Sequence, residues 1–363
     1  MSETSPRPLT FALVGCGSIS DTQARALAQL PEDARLVACC DLDSAAAARF
    51  SRAFRVPIQT WEELINDQMI DVISLCTPSG HHGDLATAAL TAGKHVIVEK
   101  PMEITVAKCD ALLDARRVSG RQLGVISQHR FDPASQTASA LLERGELGRI
   151  HLVDARIPWF RTQAYYDSGD WRGTWALDGG GCLMNQGVHT VDLMLALAGP
   201  VTSVFAHART AAHDRIEVED NVCATVEFAS GAIGTIMAST SCYPGFPARL
   251  ALHGTAGSLI IEGDELAQVA IQGRPVEHGA SATTHAMQIA TGGTRAASAA
   301  ASTTPPDQHV WQWGDAHAAQ FADFVAAVRE NRPPKVTGED GRRAVAFIHA
   351  VYTSSHCGQP VKL

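Results

Sequence analysis

The sequence predicts an α/β protein in two units: a doubly wound parallel sheet over residues 1–125, then an α+β unit with a large, mostly antiparallel sheet over residues 126–363. Three observations carry that expectation. Short apolar runs alternate with helical patterns between Thr10 and Gly124, as parallel strands joined by right-handed crossovers require. A glycine turn sits directly after the first run and directly before the first helical pattern. Beyond Gly124 the apolar residues fall on alternate positions, the period of an antiparallel sheet with one face exposed.

Taken in order, the apolar runs are residues 11–14, 36–40, 72–75, 96–98 and 123–126, and helices are predicted over 22–30, 45–54, 61–66, 85–92 and 106–118. A helix over 135–144 opens the second unit. There Val222, Ala224, Val226 and Phe228 share one face of a strand, Cys223, Thr225 and Glu227 the other, and Ser230-Gly231 turns the chain into residues 232–239. The exposed face of such a sheet suits a second copy of the chain, so a homodimer or homotetramer is expected. Residues 280–305, rich in alanine, serine, threonine and glycine with no period, read as a mobile loop. Phe321, Phe324, Val325 and Val328 form one helical stripe and Val345, Ile348 and Tyr352 another, on either side of Arg332-Pro333-Pro334.

At 363 residues the chain is longer than single cores usually grow. A formal charge of −9 with no basic run argues against nucleic acid or acidic membranes as partners, so an anionic ligand must be held by local donors. Residues 1–10 lack the apolar segment of a signal peptide, and no apolar run reaches the roughly 18 residues that span a bilayer; a cytoplasmic protein is expected. The nine cysteines, without C-x-x-C spacing and mostly inside apolar runs, read as reduced small hydrophobes, and no metal site is expected.

Chemistry concentrates at the carboxyl ends of the predicted parallel strands, where open α/β sheets bind ligands. Gly15-Cys16-Gly17-Ser18-Ile19-Ser20 has the form of a Rossmann dinucleotide turn. Gly15 permits the tight bend, Gly17 lets the backbone approach a pyrophosphate, and the amides of Ser18 and Ile19 open a helix whose dipole favours phosphate. Asp41 closes the second strand, where a carboxylate binds ribose hydroxyls and repels a 2′-phosphate, favouring NAD over NADP. Thr77-Pro78 and His82 follow the third strand; as an isolated residue His82 reads more readily as a helix-start cap than as a functional group. The fourth strand ends in Glu99-Lys100-Pro101, and Pro101 restricts Lys100 to an extended conformation at the sheet edge. An ammonium held there can meet developing negative charge, although a solvated strand-end lysine would look the same.

A second stretch resists explanation by packing: Gly179-Gly180-Gly181 followed by Cys182-Leu183-Met184-Asn185-Gln186-Gly187-Val188-His189-Thr190-Val191-Asp192. Three glycines let the backbone pass close to something flat before a helix starts. Asn185 and His189, four apart, would stack on one helical face, and Asp192 could orient the imidazole. Gln128 and Arg130 leave the last parallel strand. Arg172 and Arg130 are candidates to hold the cofactor or an anionic substrate group. Tyr166 and Trp175 could wall a pocket, and Trp175 could equally belong to the core.

Together these segments resemble the Gfo/Idh/MocA family of oxidoreductases over nearly the whole chain. The glycine turn, the Thr77-Pro78 loop with His82, Ala92-Gly93-Lys94 leading into Glu99-Lys100-Pro101, the glycine-rich helix start with His189, and Ala350-Val351-Tyr352-Thr353-Ser354 stand in family order. The resemblance implies hydride transfer between a nicotinamide nucleotide and a sugar, sugar-nucleotide or polyol. It places cofactor contacts at Gly15, Gly17, Ser18, Ile19, Asp41, Thr77, Pro78, His82, Glu99, Lys100, Gln128 and Arg172. Substrate contacts follow at Lys100, Arg130, Tyr166, Trp175, Asn185 and His189, with Lys100, His189 and Asn185 at the reacting centre. The family often carries aspartate where this chain has Asn185, which puts a proton relay through that position in doubt. Asn185-Gln186-Gly187-Val188-His189 with Trp171-Arg172-Gly173-Thr174-Trp175 resembles the branch of UDP-N-acetylglucosaminuronate 3-dehydrogenases. Two other readings share the fold: an NAD-using glycosidase with no net redox change, and a nucleotide-binding regulator without chemistry.

Overall fold

The computed structural model describes residues 7–278 and 314–363; the loop predicted over 280–305 lies outside the described residues. Five parallel strands, β1 (Leu9–Val14), β2 (Ala34–Cys40), β3 (Val72–Leu75), β4 (His95–Val98) and β5 (Leu123–Val125), form one sheet in the order β2-β1-β3-β4-β5. The order reverses between β1 and β3, so the glycine turn and the Thr77 loop flank the switch point where such sheets bind ligands. Helices α1 (Ser18–Leu27), α2 (Ser44–Phe54), α3 (Trp61–Asn66), α4 (His82–Thr91) and α5 (Val106–Ser119) make the crossovers. Both α1 and α4 start earlier than their apolar periodicity suggests. Their first turns carry polar residues that face the ligand edge, so the apolar stripe begins only in the second turn.

Alternate strand residues feed opposite layers. Ala12, Val14, Ile73, Leu75, Val96 and Val98 pack with Leu64, Ala86, Leu90 and Leu112, whereas Phe11, Val72 and Ile97 pack with Leu27, Phe321, Phe324 and Val325. The second group explains a feature the sequence division did not anticipate. Helix α9 (Asp315–Glu330; α6 to α8 are given below) belongs to the later part of the chain yet covers the first sheet, with Phe321 edge-on to Phe11 at 5.8 Å.

Among the described residues the second sheet has nine strands. Helix α6 (Pro133–Glu143) leads into β6 (Ile150–Pro158), and α7 (Gln163–Tyr166) and α8 (Val188–Ala198) precede β7 (Val201–Arg209), β8 (Asn221–Phe228), β9 (Ile233–Ser239), β10 (Arg249–Gly254), β11 (Gly257–Glu262), β12 (Glu265–Ile271) and β13 (Glu277–His278). The terminal β14 (Val361–Lys362) closes the order β13-β12-β11-β10-β6-β9-β8-β7-β14, antiparallel except for the β6–β9 pair. Val222, Ala224, Val226 and Phe228 point inward and Cys223, Thr225 and Glu227 outward, as period two requires. Helices α8 and α10 (Gly338–Cys357) cover the inner face. Because α10 also packs on α5 and β5, it fixes one sheet against the other. No helix among the described residues is long and apolar enough to cross a membrane.

One ion pair ties α8 to the chain leaving β5. Arg130 grips Asp192 with two parallel bonds, Nε to Oδ2 at 2.7 Å and Nη2 to Oδ1 at 2.6 Å, and Ser127 Oγ donates to the same carboxylate. Asp192 therefore does not orient His189. The planar guanidinium matches a carboxylate fork far better than an imidazole on the same helix can. Asp340 Oδ1 also lies 3.5 Å from the Arg130 guanidinium, so losing Asp192 leaves that buried cation one longer contact in place of a bidentate one. Asp192→Asn is expected to cost about 1.5–3 kcal/mol of stability, read as a lowered urea midpoint; an unchanged midpoint contradicts the tie.

Candidate active site

At the glycine turn Gly15 has φ +91°, and a Cβ there would press on the Cys76 carbonyl, so only glycine fits between β1 and β3. A Cβ on Gly17 would meet nothing within 4 Å, which leaves the backbone open to an approaching ligand. No side chain caps the first amides of α1, so the start of the helix carrying Ser18 and Ile19 keeps its affinity for phosphate. Asp41 lies beside the turn, accepting from the Cys16 amide at 2.6 Å and the Asp43 amide at 2.8 Å. Two further atoms support the fit of a dinucleotide. Thr77 Oγ1 and Gln128 Oε1 are buried with no hydrogen-bond partner among the described residues, and buried polar groups of that kind are costly unless a ligand or water satisfies them.

Other candidates turn inward. His82 is buried, one ring nitrogen 2.8 Å from the Pro101 carbonyl and the other 2.9 Å from that of Thr77, so it joins the Thr77-Pro78 loop to the Lys100-Pro101 turn. Burial pulls its pKa down to about 4, against the two carbonyls that favour a charged ring. Glu99 accepts from Gln23 Nε2 at 2.7 Å and from the Lys100 amide at 3.1 Å, and Gln23 in turn accepts from Ser74. These bonds link α1, β3 and β4 beneath the site.

Lys100 crosses to the second unit. Its Nζ donates to the backbone carbonyl of Asn185 at 2.8 Å. Residues Cys182–Gly187 form a π-helical coil that passes into α8 at Val188, and such coils recur at functional sites. Asn185 and His189 thus lie on two joined coils where a single α-helix was expected. Asn185 Nδ2 donates to Asp178, and its Oδ1 accepts from Gln186 Nε2 at 2.9 Å. The His189 ring meets the edge of His129 at 5.0 Å. Lys100 and His189 line one small cavity of about 20 Å³, room for a water-sized group.

The three glycines make room for the protein itself. A Cβ on Gly181 would collide with the Glu219 carbonyl and one on Gly180 with the Tyr352 hydroxyl. The buried Glu219 carboxylate accepts from the amides of Gly181 at 2.8 Å and Leu183 at 2.9 Å and from Tyr352 at 3.0 Å, holding the start of the coil. Its burial raises the pKa to about 7 against those three donors.

Burial lowers the pKa of both central groups. Burial, then the Lys100 ammonium, then His129 and His317 hold His189 well below 6.5. Against its own burial, Asp264 and Asp132 raise His129 to about 10, which makes it one of the cations facing His189. Burial also lowers Lys100, opposed by Glu99 and Asp178 and reinforced by Arg172 and Arg161.

Two residues change roles. Arg130 is taken up by Asp192, as described above, so its guanidinium fork serves the fold. Tyr166 is buried with its hydroxyl 2.8 Å from Thr240 Oγ1, and its neighbour Tyr165 faces the site instead. Tyr165 OH accepts from Arg172 Nη1 at 2.7 Å and Gln186 Nε2 at 2.9 Å, and its ring lies under Arg172 at 4.4 Å and Arg161 at 5.3 Å. Trp175 is exposed at the rim, edge-on to Tyr352 at 5.3 Å, and is not core. Sequence reading missed Asp178, Arg161, Tyr165 and Gln186. Of these only Arg161 carried a signal, as a cation beside the Tyr165-Tyr166 pair.

The parallel sheet, the open glycine turn and the acid at the end of β2 define a dinucleotide-binding domain. Residues 9–127 match the oxidoreductase family with an NAD-binding Rossmann fold, and residues 135–260 match the GFO/IDH/MocA C-terminal domain. The chain belongs to the Gfo/Idh/MocA family. The WlbA dehydrogenase from Bordetella pertussis, solved with NADH and UDP-GlcNAcA, is 30% identical with a TM-score of 0.83, covering 98% of this chain and 99% of that one. Inositol 2-dehydrogenase of Rhizobium meliloti (strain 1021) is 26% identical over 352 residues, 95% of this chain and 96% of its own. The NAD⁺-dependent scyllo-inositol 2-dehydrogenase of Bacillus subtilis (strain 168) is 28% identical over 258 residues, 69% of this chain and 72% of its own. The protein is an NAD-binding oxidoreductase.

If Asp41 faces the adenosine ribose, Asp41→Ser raises the ratio of kcat/KM with NADP to that with NAD by at least about tenfold, since loss of charge repulsion of over 1.4 kcal/mol is a factor of ten. An unchanged ratio removes Asp41 from the ribose.

Proposed function

We propose that the protein is an NAD-preferring dehydrogenase that oxidises a carbinol of an anionic carbohydrate, with Lys100 and His189 acting on one substrate oxygen. The observation that carries this is that both residues, one from each half of the chain, line the same small cavity. The anionic substrate is supported by Arg161 and Arg172, stacked on Tyr165 and within electrostatic reach of Lys100, on a chain whose net charge is −9. A uronate or diphosphate suits such a pair, because a guanidinium binds either one through two parallel bonds. UDP-N-acetylglucosaminuronate, the ligand of the WlbA relative, is the first substrate to test, and inositols are the neutral comparison.

NAD supplies the hydride acceptor. His189 enters the reaction neutral, since burial and the surrounding cations depress its pKa, and takes the proton of the substrate hydroxyl. Lys100, released from or shared with the Asn185 carbonyl, donates to the same oxygen and stabilises its developing negative charge. Thr77, Gln128 and the start of α1 orient the cofactor, and the Arg172 and Arg161 pair orients the substrate. In reduction the same two groups return the proton.

A screen of UDP-N-acetylglucosaminuronate, inositols and free aldoses for NADH formation tests this reading. Turnover is expected with an anionic sugar; sugar release without net NADH points to a glycosidase, and no chemistry at all to a regulator. Lys100→Ala and His189→Ala should each lose on the order of 10²-fold or more in kcat/KM. The neutral imidazole is lost as pH falls through its depressed pKa, so the acidic limb of kcat/KM lies below 6.5 and vanishes in His189→Ala. A limb that persists reassigns the base. We also infer self-association through the outer face of the second sheet, where Leu152, Phe205 and Ile233 are exposed. Light scattering should give a multiple of the 38.5 kDa chain mass, and a value equal to it contradicts the inference.

A further inference from the structure

Asp178 precedes the three glycines and is almost fully buried, 2% exposed. Its Oδ2 accepts the Gly173 amide at 2.9 Å and its Oδ1 accepts the Asn185 side-chain amide. Asn185 is in turn the residue whose carbonyl receives Lys100 Nζ. A carboxylate that deep is costly unless its charge is used or fully paired, and among the described residues two neutral donors and no direct cation hold it.

The charges around Lys100 show what the carboxylate can do. Glu99 comes from its own strand end, Asp178 from the turn before the glycines, and Arg172 and Arg161 from the segment between β6 and the π coil. Both oxygens of Glu99 are occupied, one by Gln23 and the other by the Lys100 backbone amide. Burial and two guanidinium groups favour loss of the Lys100 proton; the two acids and the Asn185 carbonyl that accepts from Nζ oppose it. Without Asp178, Glu99 is the remaining acid against all three.

We propose that Asp178 is a positioning residue of the reaction: its charge keeps the Lys100 amine protonated, and its hydrogen bond fixes the Asn185 segment whose carbonyl aims that amine into the cleft. The inference rests on the reading of Lys100 as the group that stabilises the substrate oxygen. Asp178 acts through Lys100 and Asn185 and need not touch substrate. Its charge is also not among those that set His189, which are Lys100, His129 and His317. The two limbs of the pH profile should therefore respond separately.

The test compares kcat/KM against pH for the wild-type enzyme, Asp178→Asn, the double variant Asp178→Asn/Asn185→Asp, and Lys100→Ala. Asp178→Asn keeps the shape of the side chain and removes its charge. The alkaline limb, where Lys100 loses its proton, should move to lower pH with roughly a tenfold loss of activity on that side, while the acidic limb stays in place. The double variant exchanges carboxylate and amide. The amide at 178 can still accept from Gly173 and donate to the carboxylate at 185, so the hydrogen bonds survive and a negative charge returns beside Lys100. It should recover most of the alkaline activity. A uniform loss at all pH values in Asp178→Asn, unrepaired by the exchange, would show a purely structural carboxylate and overturn the proposal; so would an unmoved alkaline limb. A Lys100→Ala variant that keeps kcat/KM within about tenfold of wild type overturns the reading of Lys100 and this inference with it. A loss of about 10²-fold or more in Lys100→Ala with an unmoved limb in Asp178→Asn sinks the inference alone.

Discussion

The bond from Lys100 Nζ to the Asn185 carbonyl joins the two halves of the molecule at the point where its chemistry is concentrated. An ammonium group is costly to bury, and it is tolerated here because the parallel strand β4 delivers it to the sheet edge while the π coil before α8 offers a carbonyl to receive it. The surrounding construction serves that meeting. Gln23, Ser74 and Glu99 brace the strand end, and His82 locks the turn after it to the Thr77 loop. Glu219 and Tyr352 fix the coil from the other side, and Arg130 with Asp192 anchors the helix that follows.

The same packing sets the protonation states. Burial, then the Lys100 ammonium and His129, drive the His189 imidazole towards its neutral form; burial also lowers Lys100, against the acids Glu99 and Asp178 that favour its charge. Burial makes each of these charges act strongly on the next. The arginines on Tyr165 extend this positive surface outward, towards the region an anionic substrate would occupy.

Most of the architecture was legible in the sequence because period and punctuation are local. The five parallel strands, the glycine turn and the alternating strand from Asn221 follow from residues adjacent in the chain. The missed features depend on contacts distant in sequence. Nothing near Phe321 tells that its stripe covers the first sheet rather than the second. Asp192 sits three positions after His189, but its partner Arg130 is 62 residues away. Between Tyr165 and Tyr166, identical in type, only the fold decides which meets the arginines. The π coil is equally silent, since Asn185 and His189 have α-helical spacing whether or not the coil widens. Lys100 and His189 were singled out on local grounds, Lys100 as a charge at the end of an apolar strand and His189 as an imidazole after three glycines with Asn185 four positions before it.

The most direct measurement is a crystal structure of the ternary complex with NADH and an oxidisable sugar. The proposed chemistry predicts one substrate oxygen within hydrogen-bond reach of both Lys100 Nζ and a ring nitrogen of His189, with its carbon against the nicotinamide. A substrate seated with its reacting oxygen beyond reach of either side chain would contradict it.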